Sequence, residues 1–426
     1  MDERFAVDPV ACESFPGYMP HSAPGQHSPA PTSPTHAHTT ENHWAAVALI
    51  AASTFVVVAA EMMPVGLLTP IGAALVESEG TIGLSLVITG LVAAATAPFV
   101  PIATRRFDRR STLIVLMLFV AAANALTALA PSFAVLAVAR VLLGVSMGGV
   151  WALAASLAPR LVETRSVGLA TTIIFSGIAV ASVLGVPAGT YIGAAAGWSV
   201  AFWALSCAAA VIALAMFAVL PTMPADQALS LGSLLEAFRN PGVRVGIAIT
   251  ALLVTAHFAA YTYVRPGLEF FARANASQVG TMLLIYGVLG VVGNFIAGPS
   301  AAKSSKTVVV VLSVGIALTL ALFPIWAATL IAGALLMAVW GFFYGGVSVS
   351  TQTWIAHAAP AHREAASALW VAVFNASIAL GAFVGGRVHD HSGPRSVFWI
   401  AAGIATLAML LAVIRNPVAA KQEQTT

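Results

Sequence analysis

The chain has 426 residues, 59% of them hydrophobic and only 8% charged, with a mean hydropathy of +0.92. That is too apolar for a water-soluble core inside a polar shell, and it marks a polytopic membrane protein. The net charge of +3 comes from Lys and Arg in short breaks between apolar stretches, a topology signal and not a nucleic-acid footprint, and two cysteines, Cys12 and Cys207, support neither a disulfide framework nor a cysteine metal site.

Residues 1–43 are rich in Pro, His, Ser and Thr and nearly devoid of large aliphatic side chains, so they are expected to be a disordered tail. His21, His27, His36, His38 and His43 fit a solvated low-complexity segment better than a metal site. The tail lacks the basic start and apolar run of a signal peptide.

From Trp44 onward, apolar segments of about 20 residues, each long enough to cross the hydrocarbon, alternate with short polar breaks. The expected spans lie near 44–71, 81–103, 112–130, 134–158, 167–193 and 199–220, then near 244–264, 277–299, 307–324, 327–352, 366–387 and 397–414. This predicts an all-α protein of about twelve transmembrane helices. An N-terminal bundle, 44–220, is joined by a polar linker, 221–243, to a C-terminal bundle, 244–414, with a tail at 415–426. Arg4, Arg105, Arg106, Arg109, Arg110, Arg160, Arg165, Arg239, Arg244, Lys303, Lys306, Arg363, Arg415 and Lys421 fall on one side, and only Arg265, Arg273, Arg387 and Arg395 on the other. The first side, with both termini and the linker, is expected to be cytoplasmic.

The two halves read as copies of one unit. Gly144-Val-Ser-Met-Gly148-Gly-Val recurs in outline 197 residues on as Gly341-Phe-Phe-Tyr-Gly-Gly-Val, and Arg106 and Arg109 match Lys303 and Lys306 at the same offset. Gly185 and Gly189 match Gly381 and Gly385 at an offset of 196. The same step carries Glu61 of the first span to His257 of the seventh, and duplicated transporters bind their substrates between their halves.

Glu61 is the only acid placed inside a span, where a carboxylate costs a few kcal/mol unless it is useful, protonated or paired. At 1.5 Å per residue it lies about 25 Å from the start of its helix, and Arg140, the only base well inside a span, about 9 Å from the opposite face. Both fall in the outer half of a core about 30 Å thick, at a depth similar to that of His257. Glu61 is therefore expected to carry a proton, Arg140 to modulate it, and His257 to act as relay, as substrate ligand or merely as a hydrogen-bonded interior histidine. Pro64 and Gly66 are expected to loosen the helix after the acid and free backbone groups to line a cavity. Gly144 and Gly148, and in the fifth span Gly185, Pro187 and Gly189, suit close packing and gating. Trp151, Tyr261, Trp340 and Tyr344 are candidates to stack on a ligand, and Asn294 and Asn375 to hydrogen-bond one. Without a Gly-x4-Gly-Lys-Ser/Thr loop, a His-Glu-x-x-His pair or a Cys-x-x-Cys, ATP hydrolysis, membrane proteolysis and redox chemistry have no support, which leaves gradient-driven transport without a cofactor.

Four segments carry a family resemblance: Glu61-Met-Met-Pro-Val-Gly-Leu-Leu, Arg140-Val-Leu-Leu-Gly144, Gly185-Val-Pro-Ala-Gly189 with Gly197-Trp198, and Thr255-Ala-His-Phe-Ala-Ala-Tyr261-Thr-Tyr263. Over about 44–415 the chain resembles the major facilitator superfamily, and within it the bacterial proton-antiport efflux branch of purine ribonucleoside and sugar exporters. The resemblance implies two pseudo-symmetric six-helix bundles, rocker-type alternating access, and proton influx driving efflux through Glu61 and Arg140. The loop after the second span departs from the superfamily pattern: Pro101, Arg105 and Asp108 replace the first Gly, the Asp and the second Gly, which leaves Arg109 and Arg110 as its gating elements. The expected function is proton-coupled export of a small polar molecule, of nucleoside or sugar class, by a monomer in the cytoplasmic (inner) membrane, with substrate and lipid as its partners, no nucleic acid and no enzymatic activity. The alternatives are multidrug or antibiotic efflux and a non-transporting membrane sensor.

Overall fold

A computed structural model describes residues 43–104, 106–223 and 231–415, and no strand occurs among them. The N-terminal tail up to residue 42, Arg105, linker residues 224–230 and residues 416–426 lie outside the described residues. The elements are α1 (Trp44–Leu75), α2 (Glu79–Ala103), α3 (Arg109–Ala128), α4 (Phe133–Leu161), α5 (Val167–Val180), a π turn (Ala181–Gly185), α6 (Val186–Ala196), α7 (Trp198–Val219), α8 (Leu231–Arg239), α9 (Pro241–Tyr261), α10 (Val264–Phe271), α11 (Ala276–Trp326), α12 (Leu330–Gly345), α13 (Val347–Ala358) and α14 (Arg363–Ile414). Within the expected linker, 221–243, lies a short helix, α8.

Among the described residues ten helical stretches are long and apolar enough to cross a membrane. Two of them, α11 with 51 residues and α14 with 52, exceed what one crossing takes. Each breaks in the middle: Ser304 has φ −153° and ψ 89°, and Gly393 has φ 75° and ψ 175°. Gly393 sits in the left-handed half of the map, where a Cβ is strained, and Pro394 follows it. Splitting both stretches gives the twelve crossings of two six-helix bundles. Their loops gather at two ends, here called near (with His43, the 104–109 loop, Met223 and Arg415) and far (with Val76, Gly197, Arg265 and Asp390).

The internal repeat holds in the packing. A Cβ on Gly144 would lie 2.8 Å from the Thr89 carbonyl, and one on Gly341 would collide with the carbonyl of Tyr286; Gly148 and Gly345 stand in the same way over the carbonyls of Ala93 and Gly290. Each of those carbonyls is also displaced by 197 residues from its counterpart. At the other offset, Gly185 and Gly189 rest on Ala59 and Met63, and Gly381 and Gly385 on Thr255 and Ala259. In both halves the backbones approach within reach of Cα–H···O contacts, so small residues set the spacing. Buried apolar residues form two clusters, one from the first half and one from the second, interleaved where Tyr263 enters the first and Val65, Leu86 and Val186 enter the second.

Gly144→Ala and Gly341→Ala are each expected to destabilise the purified protein by about 1–3 kcal/mol, the cost of overpacking. Gly403→Ala, where an added Cβ meets nothing within 4 Å, is expected to stay within about 0.5 kcal/mol of the parent. Thermal unfolding in detergent reads both.

Candidate functional site

Two prolines set the site up. α1 runs helically through Pro64 and Pro70 to Leu75. A proline has no N–H to give to the carbonyl four residues back, which leaves the carbonyls of Ala60 and Gly66 open inside a buried helix, where an unmade hydrogen bond is costly. Both accept from guanidinium groups. Arg140 Nη1 donates to the Ala60 carbonyl at 3.1 Å, and Arg265 Nη1, from the other half, donates to the Gly66 carbonyl at 2.6 Å. Pro187 lies in the first turn of α6, directly after the π turn Ala181–Gly185.

Glu61 follows Ala60 and is buried, with Oε1 lacking any hydrogen-bond partner in the protein. Arg140 is equally buried and interacts electrostatically with it, but its donors point elsewhere: Nη1 to Ala60, Nη2 to Thr127 Oγ1 at 3.2 Å, with the guanidinium 5.2 Å from the Phe202 ring. The acid and the base are thus neighbours without a direct ion pair, and Arg140 Nε, like Glu61 Oε1, has no hydrogen-bond partner in the protein.

Across the seam, His257 is packed on all sides by aromatic rings. Tyr344 stacks on it with centroids 3.3 Å apart, Tyr261 at 4.8 Å, Trp340 stands edge-on at 5.4 Å, and Tyr286 lies parallel at 6.1 Å. The Tyr286 hydroxyl is 3.4 Å from His257 Nε2. His257 Nδ1, Trp340 Nε1 and the Tyr344 hydroxyl have no partner within the protein. Met62, the residue after Glu61, packs against the buried cluster of the second half that includes Tyr261, Tyr286 and Trp340. No group of three or more His, Cys, Asp or Glu suited to a metal occurs among the described residues.

Of the candidates, Tyr261, Trp340 and Tyr344 come together here. Trp151 packs 6.1 Å from Phe175 in the first half, its Nε1 buried and unpartnered. Asn375 donates to the Val371 carbonyl of its own helix, and Asn294 is half-buried in α11. Tyr286 is a member that sequence reasoning misses; its only signal there is a tyrosine in an otherwise aliphatic span. At the near end, Arg109 donates to Thr104 Oγ1 at 3.2 Å and Arg110 to the Phe217 carbonyl. Asp108 caps α3 and accepts from the Met223 amide at 2.6 Å. These contacts tie the 104–109 loop to the start of the linker within the first half. Gly66 is pressed against Thr190 and Val186, and Gly189 against Met63, so α1 and α6 meet without room for a side chain.

The family model described as Major Facilitator Superfamily matches residues 50–271 and 250–426. The chain is 32% identical over 378 residues to the transcription regulatory protein OpdE of Pseudomonas aeruginosa, an alignment covering 87% of this chain and 93% of that one. It is 28% identical over 369 residues to the purine ribonucleoside efflux pump NepI of Salmonella paratyphi B, again covering 87% and 93%. Its fold is similar to the crystal structure of a point variant of the nucleoside transporter NupG, with a TM-score of 0.70 at 15% identity over 88% of this chain and 99% of that one.

Removing the guanidinium with Arg140→Leu is expected to cost about 1–3 kcal/mol through the stranded Ala60 carbonyl alone. Pro64→Ala restores the helical N–H to that carbonyl, so the double variant is expected to recover about 0.5–3 kcal/mol of coupling energy in a double-mutant cycle read by unfolding in detergent.

Proposed function

This chain belongs to the major facilitator superfamily, and from that premise we propose that it is a proton-coupled antiporter exporting a small polar molecule, of nucleoside or sugar class, by alternating access. The observation that carries this reading is Glu61, a buried acid with an unpartnered oxygen, next to Met62, which packs against the other half. A proton on Glu61 and a substrate on the His257 cluster occupy one site, and occupancy by one disfavours the other, which is what exchange requires. Arg140 keeps a positive charge near the acid without engaging it, so the carboxyl is free to gain and lose its proton. The indole, imidazole and phenol groups around His257 offer stacking faces together with hydrogen-bonding edges, which suits a ring-shaped polar substrate. NepI, by its name, exports purine ribonucleosides. The basic residues of the near end favour a cytoplasmic location for that end, with both termini, and the cytoplasmic membrane for the protein.

A second reading follows from OpdE, which is 32% identical and by name a regulatory protein: the chain senses a ligand at the same site without moving it. Inside-out vesicles given a purine nucleoside, a sugar or an amphipathic cationic drug under an imposed pH gradient separate these. The transporter reading expects uptake of the nucleoside or the sugar driven by the gradient. Glu61→Gln should abolish that driven uptake while leaving substrate exchange at equal pH intact. Ligand binding without flux under any gradient would establish the sensor instead.

A further inference from the structure

The halves meet at the far end through several polar contacts, and one of them differs in kind. Tyr191 and Thr281 share a hydrogen bond at 2.7 Å, and Asp390 accepts from Ser78 Oγ at 2.7 Å and from the Gly80 amide at 3.0 Å. Thr69 Oγ1 stands between Glu79 Oε1 of its own half at 2.7 Å and Glu269 Oε2 of the other at 3.0 Å, and Glu79 Oε2 lies 3.4 Å from His389 Nε2. Each of these involves at least one exposed or half-buried side chain, where water can replace a lost partner. The bond from Arg265 to the Gly66 carbonyl is instead buried on both sides.

Its acceptor is open because of Pro70. In an unbroken helix the Gly66 carbonyl would accept the N–H of residue 70, which proline lacks. Thr190 Oγ1 lies 3.4 Å from that carbonyl but is engaged with the Val186 carbonyl at 2.9 Å, and a hydroxyl carries only one proton. Arg265 Nη1, at 2.6 Å, is therefore the donor that serves Gly66. Its Nε pairs with Glu269 Oε1 at 2.8 Å, one turn on in α10, so the guanidinium is anchored by its own half while it donates to the other. Gly66 lies five residues beyond Glu61, about 7.5 Å further along α1 toward the far end. The contact thus stands between the level of the central acid and the far-side solution.

We propose that Pro70 and Arg265 form the far-side gate of this chain. Separating the halves there requires Arg265 to leave the Gly66 carbonyl, and because Pro70 withholds the helical N–H, that carbonyl has no donor in its own helix to return to. The closed far end is favoured by this difference. The bond that breaks joins a guanidinium to a backbone carbonyl, so the Arg265–Glu269 pair stays whole within its half as the gate opens. The assignment rests on the alternating-access reading above, but its test reads the gate and not transport.

That test is a spin-label distance across the far end of the full chain in lipid nanodiscs, at a single pH. Labels are placed at Val76→Cys and Ser277→Cys, both exposed, with Cys12 and Cys207 replaced by Ser. Pro70→Ala returns an N–H to the Gly66 carbonyl and leaves every charged group in place. It is expected to raise the open-to-closed ratio about two- to tenfold, the worth of one hydrogen bond. Arg265→Leu removes the donor itself and is expected to raise the ratio by about tenfold or more. In the Arg265→Leu background Pro70→Ala is expected to change nothing further, since no cross-half bond is left for the N–H to weaken. In an Asp390→Ala background, which lacks the contacts to Ser78 and Gly80, it is expected to keep its effect. An unchanged ratio in Pro70→Ala, a shift toward the closed form, or the same effect of Pro70→Ala with and without Arg265 would each overturn the proposal. Ratios that shift as stated in a chain that shows no flux in vesicles would uphold the gate and overturn the transport reading alone.

Discussion

Two absent amide protons govern this molecule. Pro64 and Pro70 leave the carbonyls of Ala60 and Gly66 unmatched within α1, in a setting where water is not available to repair them. Each is repaired by an arginine, one from within the same half and one from the other. The first holds Arg140 beside Glu61 without letting it neutralise the acid, and the second ties α1 across the seam through Arg265. Hydrogen bonds to a bare carbonyl can be exchanged without breaking the helical ladder around them.

The halves share a backbone plan but divide the chemistry. Gly144, Gly148, Gly185 and Gly189 and their counterparts Gly341, Gly345, Gly381 and Gly385 bring equivalent helices together over equivalent backbone groups. On that common frame the first half places charge, Glu61 and Arg140, and the second places rings around His257. In the far-end network of Arg265, Glu79, Glu269 and Asp390 every cross-half bond is polar and reversible.

Much of this is legible from residues alone. Hydropathy and length mark the crossings, because a span must bury its own backbone hydrogen bonds and therefore shows as a run of about 20 apolar residues. The breaks at Ser304 and Gly393 fall in the gaps predicted between spans. The offset of 196 brings Glu61 and His257 into correspondence, since duplicated packing keeps its small residues. Tyr261, Trp340 and Tyr344 stand out as intramembrane aromatics, and they do meet. Trp151, Asn294 and Asn375 stand out on equal grounds and do not join that cluster, because residue type says nothing about which way a helix face turns.

The sequence by itself determined the class, the crossings, the duplication and the identity of the acid and the base, all of which follow from local composition and spacing. Only the tertiary structure decided what each group touches. That Arg140 serves a backbone carbonyl, that Tyr286 closes on His257, and that Thr69 stands between two carboxylates all depend on contacts between residues 10 to 200 positions apart. Helix rotation and the docking of the halves set those contacts, and hydrophobic burial inside a bilayer leaves no trace of either in the order of the residues.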